Sequence, residues 1–137
     1  MDEAHIPIEK LEVFKRFAQI ADEIWNIVRQ WTPFEKDTLG KQLVRAIDSV
    51  GANLVEGDGR QGNADALRFL VIARASAREA KYWVDRAQKR NLIPDSFAEP
   101  LLCDLVYATR QLNNLIKYRR SINSNGQTRE DAEAYEA

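Results

Sequence analysis

Apolar residues recur at intervals of three and four along four segments of the chain, which is the spacing of an amphipathic α-helix. In the segment 39–57, one helical arc is almost wholly apolar: Leu39, Leu43, Ala46, Ile47, Val50 and Leu54. Similar periods cover residues 11–31, 63–90 and about 96–120. No segment alternates like a strand. The pattern predicts an all-α protein, an antiparallel up-down four-helix bundle with short connections.

Capping residues mark the start of the second helix. Thr32, Pro33 and Glu35 have the order of a capping box with proline in the first helical turn. The long helix itself is predicted to begin near Thr38 and to stop at Gly57-Asp58-Gly59.

Similar signals delimit the last two helices. Asn63 is the predicted N-cap of the third helix and Asn91 its predicted C-terminal cap. The fourth helix has two alternative starts, a capping box of Ser96 and Glu99 or a first helical residue at Pro100.

The first helix has more apolar surface than one core-facing seam requires. Its two stripes are Leu11, Phe14, Ala18, Ala21, Trp25 and Val28, and beside them Phe17, Ile20, Ile24, Ile27 and Trp31. The predicted inner side of the third helix is Ala66, Phe69, Ile72, Ala73, Ser76, Ala80, Trp83, Val84 and Ala87. The predicted seam of the fourth is Leu101, Leu105, Ala108, Leu112 and Leu115. Scattered exposed hydrophobics are one explanation of the surplus, and a self-association surface is the one we prefer.

Three regions are predicted: an N-terminal arm over residues 1–9, the bundle over 10–121, and an acidic, disordered tail over 122–137. Removing residues 121–137, which hold one basic and four acidic side chains, changes the net charge from −1 to +2. A net charge this small does not by itself indicate nucleic-acid binding.

A narrow polar stripe accompanies the apolar arc of the second helix: Gln42, Arg45, Ser49, Asn53 and Glu56. It is expected to face the third helix, where Arg68, Ser76 and Glu79 lie near the predicted core boundary. We interpret the stripe as a half-buried structural network in which Arg45 bridges Glu56 or Glu79, because desolvated polar groups need partners. A polar pocket for a small ligand or a phosphate is the alternative.

Basic residues form the second candidate site, a nucleic-acid-binding surface: Arg60, Arg74, Arg78, Lys81, Lys89, Lys117, Arg119 and Arg120. Several of them share the outer side of the third helix, and others end the fourth. A solvated face with cations at helix C-termini is the alternative explanation. In an oligomer, symmetry would repeat the patch and strengthen its binding to phosphates.

The residue types needed for common catalytic sites are scarce. His5 is the only histidine and Cys103 the only cysteine, so neither a Glu-x-x-His di-iron site nor a histidine-based triad can be built within the bundle. We therefore expect no enzyme activity, no metal site and no cofactor. No secretory signal or membrane-spanning run is evident, which favours a cytoplasmic protein without membrane partners.

Two motifs resemble one family. The run Gln42-x-x-Arg45-Ala46-x-x-Ser49-x-x-x-Asn53-Leu54-Val55-Glu56-Gly57 is similar to the signature of the proteins encoded in 23S rRNA intervening sequences, also called S23 ribosomal proteins. The run Phe69-Leu70-x-Ile72-Ala73-x-Ala75-Ser76-x-x-Glu79 resembles a second segment of that family. Ala75 departs from the usual glycine, and Gly51 lies where proline is common.

The resemblance covers about Lys10 to Arg120 and implies a four-helix bundle that assembles as a homo-oligomeric ring, a homopentamer. It also implies kinship with the accessory proteins of diversity-generating retroelements, which work with nucleic acid. The expected function is a non-catalytic scaffold associated with RNA. A protein–protein assembly module without nucleic-acid binding is the alternative.

Overall fold

A computed structural model describes residues 6–123 as four long helices: α1 (Glu12–Val28), α2 (Lys41–Asp58), α3 (Asn63–Lys89) and α4 (Asp95–Asn123). A 3-10 turn, Ile8–Lys10, precedes α1. A short helical turn, Pro33–Glu35, and a π-helical turn, Lys36–Gly40, lead directly into α2. The described residues contain no strand, so the predicted all-α class with four helices is confirmed. From position 124 onward, the predicted tail lies outside the described residues.

Neighbouring helices run antiparallel. At the start of α3, the Asn63 amide donates to the carbonyl oxygen of Arg119 near the end of α4 (3.1 Å), whereas Arg74 further along α3 donates to the earlier Asn113 (3.0 Å). Each helix packs on the next in the chain, and α4 closes back on α1. The crevice between α1 and α2 therefore lies on the opposite side of the bundle from the crevice between α3 and α4.

The core contains the whole predicted arc of α2, from Leu39 to Leu54. In α1, the stripe of Phe17, Ile20 and Ile24 is the buried one. Most of the other stripe is only partly buried, and its Trp25 is 56% exposed. The surplus apolar surface expected from the sequence is therefore a real surface feature of α1.

The predicted inner side of α3 is partly wrong. The buried seam is Ala66, Leu70, Ala73, Ala77, Ala80, Val84 and Ala87. Phe69, Ser76 and Trp83 lie at its flanks, and Ile72 is 37% exposed. Small alanines occupy the centre because α2 and α4 approach α3 closely there, so its larger apolar side chains are displaced to the edges. In α4 the fully buried residue near the end is Ile116, while Leu115 is only partly buried.

The capping box before α2 is confirmed. The backbone N–H of Glu35 donates to Thr32 Oγ1 (3.3 Å), and the N–H of Thr32 donates to Glu35 Oε1 (3.0 Å). Proline is the first helical residue, as expected, and the long α-helix begins at Lys41, three residues after the predicted Thr38, because a π-helical turn occupies Lys36–Gly40.

The end of α3 also follows the sequence signal. Asn91 takes a left-handed conformation with φ of 61°, and the N–H of Leu92 reaches back to the carbonyl of Ala87 (2.8 Å). This is a Schellman-type helix end, in which asparagine substitutes for glycine.

Two predicted helix starts are corrected. Gly62, not Asn63, is the N-cap of α3, because the Asn63 side chain is engaged by the end of α4 instead. Helix α4 begins at Asp95, so neither predicted start applies and Pro100 lies inside the helix. The missing N–H of Pro100 leaves the carbonyl of Ser96 without a helical donor, and this position is exposed to solvent.

Part of the predicted N-terminal arm packs against the bundle. Ile8 is 3% exposed, and its backbone N–H donates to Asp58 Oδ2 at the end of α2 (3.2 Å). Residues 1–5 lie outside the described part of the chain.

Candidate functional site

The polar stripe of α2 meets α3 at one point, the ion pair between Arg45 and Glu79. The Arg45 guanidinium also donates to Gln42 Oε1 (3.1 Å), and the indole N–H of Trp83 donates to Glu79 Oε2 (3.0 Å). The Arg45 side chain is 53% exposed. This part of the stripe is thus a surface network that links two helices, and the expected desolvation is not present.

The remaining residues of the stripe bond within or next to their own helix. Ser49 Oγ donates to the carbonyl of Arg45 (2.8 Å), and Asn53 Nδ2 donates to the carbonyl of Ser49 (2.8 Å). Glu56 pairs with Arg60, four residues later, and not with Arg45. These side chains therefore do not converge on a ligand pocket.

The predicted partners on α3 behave differently from one another. Arg68 pairs with Asp65 in its own first turn (2.9 Å). The guanidinium groups of Arg60 and Arg68 both lie over the Phe69 ring, at 4.7 and 4.6 Å from its centroid. Ser76 is half-buried on α3. Of the three predicted partners, only Glu79 contacts the stripe.

The basic residues fall into two groups. Arg78 and Lys81 line a groove of about 340 Å³ between α3 and α4, together with Thr109, Arg110 and Asn113 of α4. We call this the basic groove. No carboxylate side chain lines it, and within residues 6–123 no ion pair involves Arg78, Lys81 or Arg110. Its polar side chains are therefore a set of cations and neutral hydrogen-bonding groups open to an anion.

Arg74 lies beside the basic groove, where its guanidinium Nη1 donates to Asn113 Oδ1 (3.0 Å). Burial, then the neighbouring charges of Arg120 and Arg78, lower the pKa of Arg74 from its ordinary value. An arginine stays charged at neutral pH nonetheless. The charges of Arg120 and Arg78 thus add to the effect of burial, and Arg74 contributes a further cation beside the basic groove.

The other predicted basic residues are engaged elsewhere or stand apart. Lys89 pairs with Asp85 (3.0 Å), and Arg60 pairs with Glu56 and Asp65. Arg119 donates to Asn63 Oδ1 (3.3 Å). Lys117 is exposed on α4, outside the residues that line the groove.

Sequence reasoning missed Arg110. It lies three residues before Asn113 and seven before Lys117, so the three share one face of α4. The spacing alone could not show that this face meets Arg78 and Lys81, because that depends on the antiparallel register of α3 and α4.

A second groove, of about 500 Å³, lies on the opposite side of the bundle between the start of α1 and the end of α2. We call it the apolar groove; its exposed or half-buried apolar lining is Phe14, Ala18, Ala21, Gly51, Ala52 and Val55. Asp22 and Asp48 also line it. Desolvation and the charge of Asp22 raise the pKa of Asp48. A carboxylate pair of like charge thus lies in an apolar crevice.

Two further observations concern metals and membranes. Within residues 6–123, no group of three or more His, Cys, Asp or Glu side chains comes together in a way that could hold a metal ion. None of the helices in this part of the chain is long and apolar enough to span a membrane.

Comparison with known proteins points to one family. No curated protein sequence matches the chain significantly. Among solved structures, the chain is similar to a crystal structure at 1.70 Å of a protein of unknown function from the S23 ribosomal protein family of Bacteroides thetaiotaomicron VPI-5482. The two share 26% sequence identity with a TM-score of 0.69, over 77% of this chain and 98% of the other. The profile of the 23S rRNA-intervening sequence proteins matches residues 9–114. The chain therefore belongs to the 23S rRNA-intervening sequence protein family.

Proposed function

We propose that this protein is a non-catalytic, homo-oligomeric scaffold of the cytoplasm that binds RNA through the basic groove. The observation that carries the proposal is the convergence of Arg78, Lys81 and Arg110 around a groove without a carboxylate lining. Phosphate contacts from arginine and lysine supply most of the sequence-independent affinity for nucleic acid. The family description, which refers to 23S rRNA, agrees with an RNA partner.

Self-association forms the second part of the proposal. The apolar groove exposes a contiguous set of small and aromatic side chains, and patches of this kind mark interaction surfaces. A ring, which the family resemblance implies is a pentamer, would repeat the basic groove once per copy. Several weak phosphate sites on one assembly then bind a long RNA much more tightly than one site does.

The apolar groove also supports a different function, a protein–protein assembly module that binds no nucleic acid. In that case the groove between α1 and α2 would be the functional surface, and the cations between α3 and α4 would be a solvated face.

The test is a titration of the full chain against a structured RNA and a duplex DNA at low and near-physiological salt, with molar mass recorded on the same samples. We expect an oligomer that binds RNA and loses affinity steeply as salt increases. Changing Arg78→Glu and Lys81→Glu should weaken RNA binding by about tenfold or more, and flatten the salt dependence.

A matched control is the double reversal Lys10→Glu and Lys15→Glu, which makes the same change in net charge at exposed positions away from the groove. It should retain most of the affinity. An oligomer that binds neither nucleic acid, or equal losses in the two double variants, would contradict the RNA proposal and favour the assembly module.

A further inference from the structure

A third pocket, of about 450 Å³, lies where the end of α1 meets the π-helical turn and the start of α2. Its floor consists of Trp25, Val28, Gly40 and Val44. Arg29, Lys36 and Lys41 line it as well. The volume falls within the range of small-molecule sites, which is about 300–1,000 Å³. We call it the tryptophan pocket; it lies next to the apolar groove, about one helical turn further toward the end of α1.

The π-helical turn explains why the cations gather. Residues five apart in an α-helix point about 140° away from each other, because each turn has about 3.6 residues. In the π turn the N–H of Lys41 bonds back to the carbonyl of Lys36, five residues earlier. This places Lys36 nearly above Lys41, on the side that faces the pocket. Such single π turns inside helices are frequent at functional sites.

Gly40 permits this arrangement. A Cβ atom at that position would lie 2.7 Å from Val28 Cγ1 and 3.2 Å from the carbonyl oxygen of Glu35. The turn therefore packs directly on α1, and Trp25 and Arg29, one helical turn apart on α1, are carried to the same pocket as the lysines.

The side chains of the tryptophan pocket specify the chemistry of its ligand. Each polar side chain that lines it, whether lysine, arginine or the indole, carries hydrogen-bond donors and no acceptor atom. Within residues 6–123, the only one of its cations that forms an ion pair is Arg45, with Glu79. A ligand that complements this lining supplies hydrogen-bond acceptors and more than one negative charge.

The ligand must also have a flat apolar part. Trp25 is 56% exposed, whereas Trp31 is 9% exposed in the core. An open indole beside an apolar floor suits an aromatic ring, and bases stack on tryptophan whatever their sequence. No side-chain acceptor lines the pocket to read a base edge, so selectivity among bases should be small.

We infer that the tryptophan pocket binds a nucleoside 5′-phosphate, with the base stacked on Trp25 and the phosphate between Arg29, Lys36 and Lys41. Both a free mononucleotide and the 5′-phosphorylated end of an RNA strand carry this chemistry. The site is distinct from the basic groove and does not depend on the proposed scaffold function.

The test uses the full chain and measures binding of AMP by equilibrium dialysis and by quenching of tryptophan fluorescence. AMP should bind saturably and quench the exposed indole, and both adenosine and ribose 5-phosphate should bind more weakly. Trp25→Ala should reduce AMP affinity at least about fivefold, the lower range for loss of one base–aromatic stack. Lys36→Gln with Lys41→Gln should reduce binding of AMP and leave binding of adenosine unchanged.

Matched controls separate this site from others. The pair Arg78→Glu and Lys81→Glu should retain AMP binding within about twofold while it weakens binding to long RNA. A 5′-phosphorylated oligonucleotide that displaces AMP better than its 5′-hydroxyl form would identify the RNA end as the ligand. Failure of both forms to displace AMP would identify the free nucleotide, and equal displacement by both would contradict recognition of the 5′-phosphate.

Three outcomes would overturn the inference. Equal affinities for adenosine and AMP would mean that the phosphate is not recognised. Unchanged AMP binding by Trp25→Ala would exclude the stack. A lower molar mass for Trp25→Ala, whose side chain is largely exposed, would show instead that the pocket is a contact between copies.

Discussion

The apolar groove and the basic groove lie on opposite sides of the bundle and differ in the charged side chains that line them. The apolar groove holds one carboxylate pair, Asp22 and Asp48, and the surrounding apolar side chains raise the pKa of Asp48. The basic groove holds several cations on long, exposed side chains, which water and salt can screen. The apolar side chains of the first groove gain free energy when they are covered, whereas the cations of the second gain from contact with a mobile or extended anion. One bundle can thus combine an assembly surface with a phosphate-binding surface.

The largest effects are expected from a pair of substitutions that breaks one side at a time. Val55 in the apolar groove and Val106 in the basic groove are both 42% exposed. Val55→Glu adds a third carboxylate near Asp22 and Asp48 and should dissociate the oligomer. Val106→Glu should leave the molar mass unchanged and weaken RNA binding.

Light scattering gives the molar mass of both variants, and an RNA titration gives their affinity for RNA. Because the two positions are equally exposed, a loss of folding would affect both alike. If Val106→Glu dissociates the assembly while Val55→Glu does not, the assignment of the two sides is wrong.

A smaller effect is expected at Arg110, the residue of the basic groove that sequence reasoning missed. Arg110→Gln removes one charge without adding a negative one. RNA affinity should decrease several-fold, and the slope of log affinity against log salt should decrease by about 0.7–0.9, the value for one lost phosphate contact. Lys117→Gln, on the same helix but outside the groove lining, is the control and should change the slope less.

The neighbours of α2 also differ in how closely they approach it: α3 packs tightly and α1 less so. Two glycines of α2 probe this difference. At Gly57 a Cβ atom would lie 3.0 Å from Phe69 Cβ and 3.1 Å from the carbonyl oxygen of Ala66, so Gly57→Ala should destabilise the fold by about 1–3 kcal/mol. At Gly51 the nearest atom would be Phe14 Cε2 at 3.6 Å, an ordinary contact. Gly51→Ala should therefore stabilise by up to about 1 kcal/mol, because alanine favours the helix.

Chemical denaturation of both glycine variants decides the point. A lower midpoint for Gly57→Ala and a higher midpoint for Gly51→Ala fit the difference between a tight α2–α3 contact and a looser α1–α2 crevice. Stabilisation by both substitutions would show that α3 can move away from Gly57 at little cost.

The smallest effect concerns the carboxylate pair. The pKa of Asp48 is raised in the folded protein, so the folded state binds a proton more readily than the unfolded state and stability from this group decreases as pH rises. Asp48→Asn removes the repulsion and should stabilise the fold at neutral pH by less than about 1 kcal/mol, as for an exposed pair, which raises the melting temperature slightly. The gain should vanish in acid, below the ordinary aspartate range. Asp37→Asn, an exposed carboxylate outside the groove, should show no such pH-dependent gain.

Much of the fold follows from local chemistry that the sequence displays. The capping box of Thr32 and Glu35 and the left-handed Asn91 are predictable, because each is decided by a few consecutive residues and their own backbone hydrogen bonds. The buried arc of α2 is predictable for a similar reason, since its apolar residues leave only one face that can enter a core.

Predictions from the sequence were wrong where a side chain's position depends on contacts with another helix. In α3, Phe69 and Trp83 looked like core residues, but the close approach of neighbouring helices admits only alanine and a few larger residues at the centre. Asn63 looked like a cap, but the end of α4 offers its amide a partner 56 residues away. Local propensity contains no information on either choice.

The candidate sites likewise combine features that the local sequence predicts with features that depend on contacts between helices. The sequence by itself determined the helices, the capping box at Thr32, the C-terminal end of α3, the core arc of α2 and the presence of a basic surface, because these depend on periodicity, composition and short local motifs. Only the tertiary structure decided that Arg45 is exposed, that Arg110 joins Arg78 and Lys81, and that a π turn brings Lys36 and Lys41 beside Trp25. These features depend on the register between antiparallel helices, which is set by packing of side chains far apart in the chain.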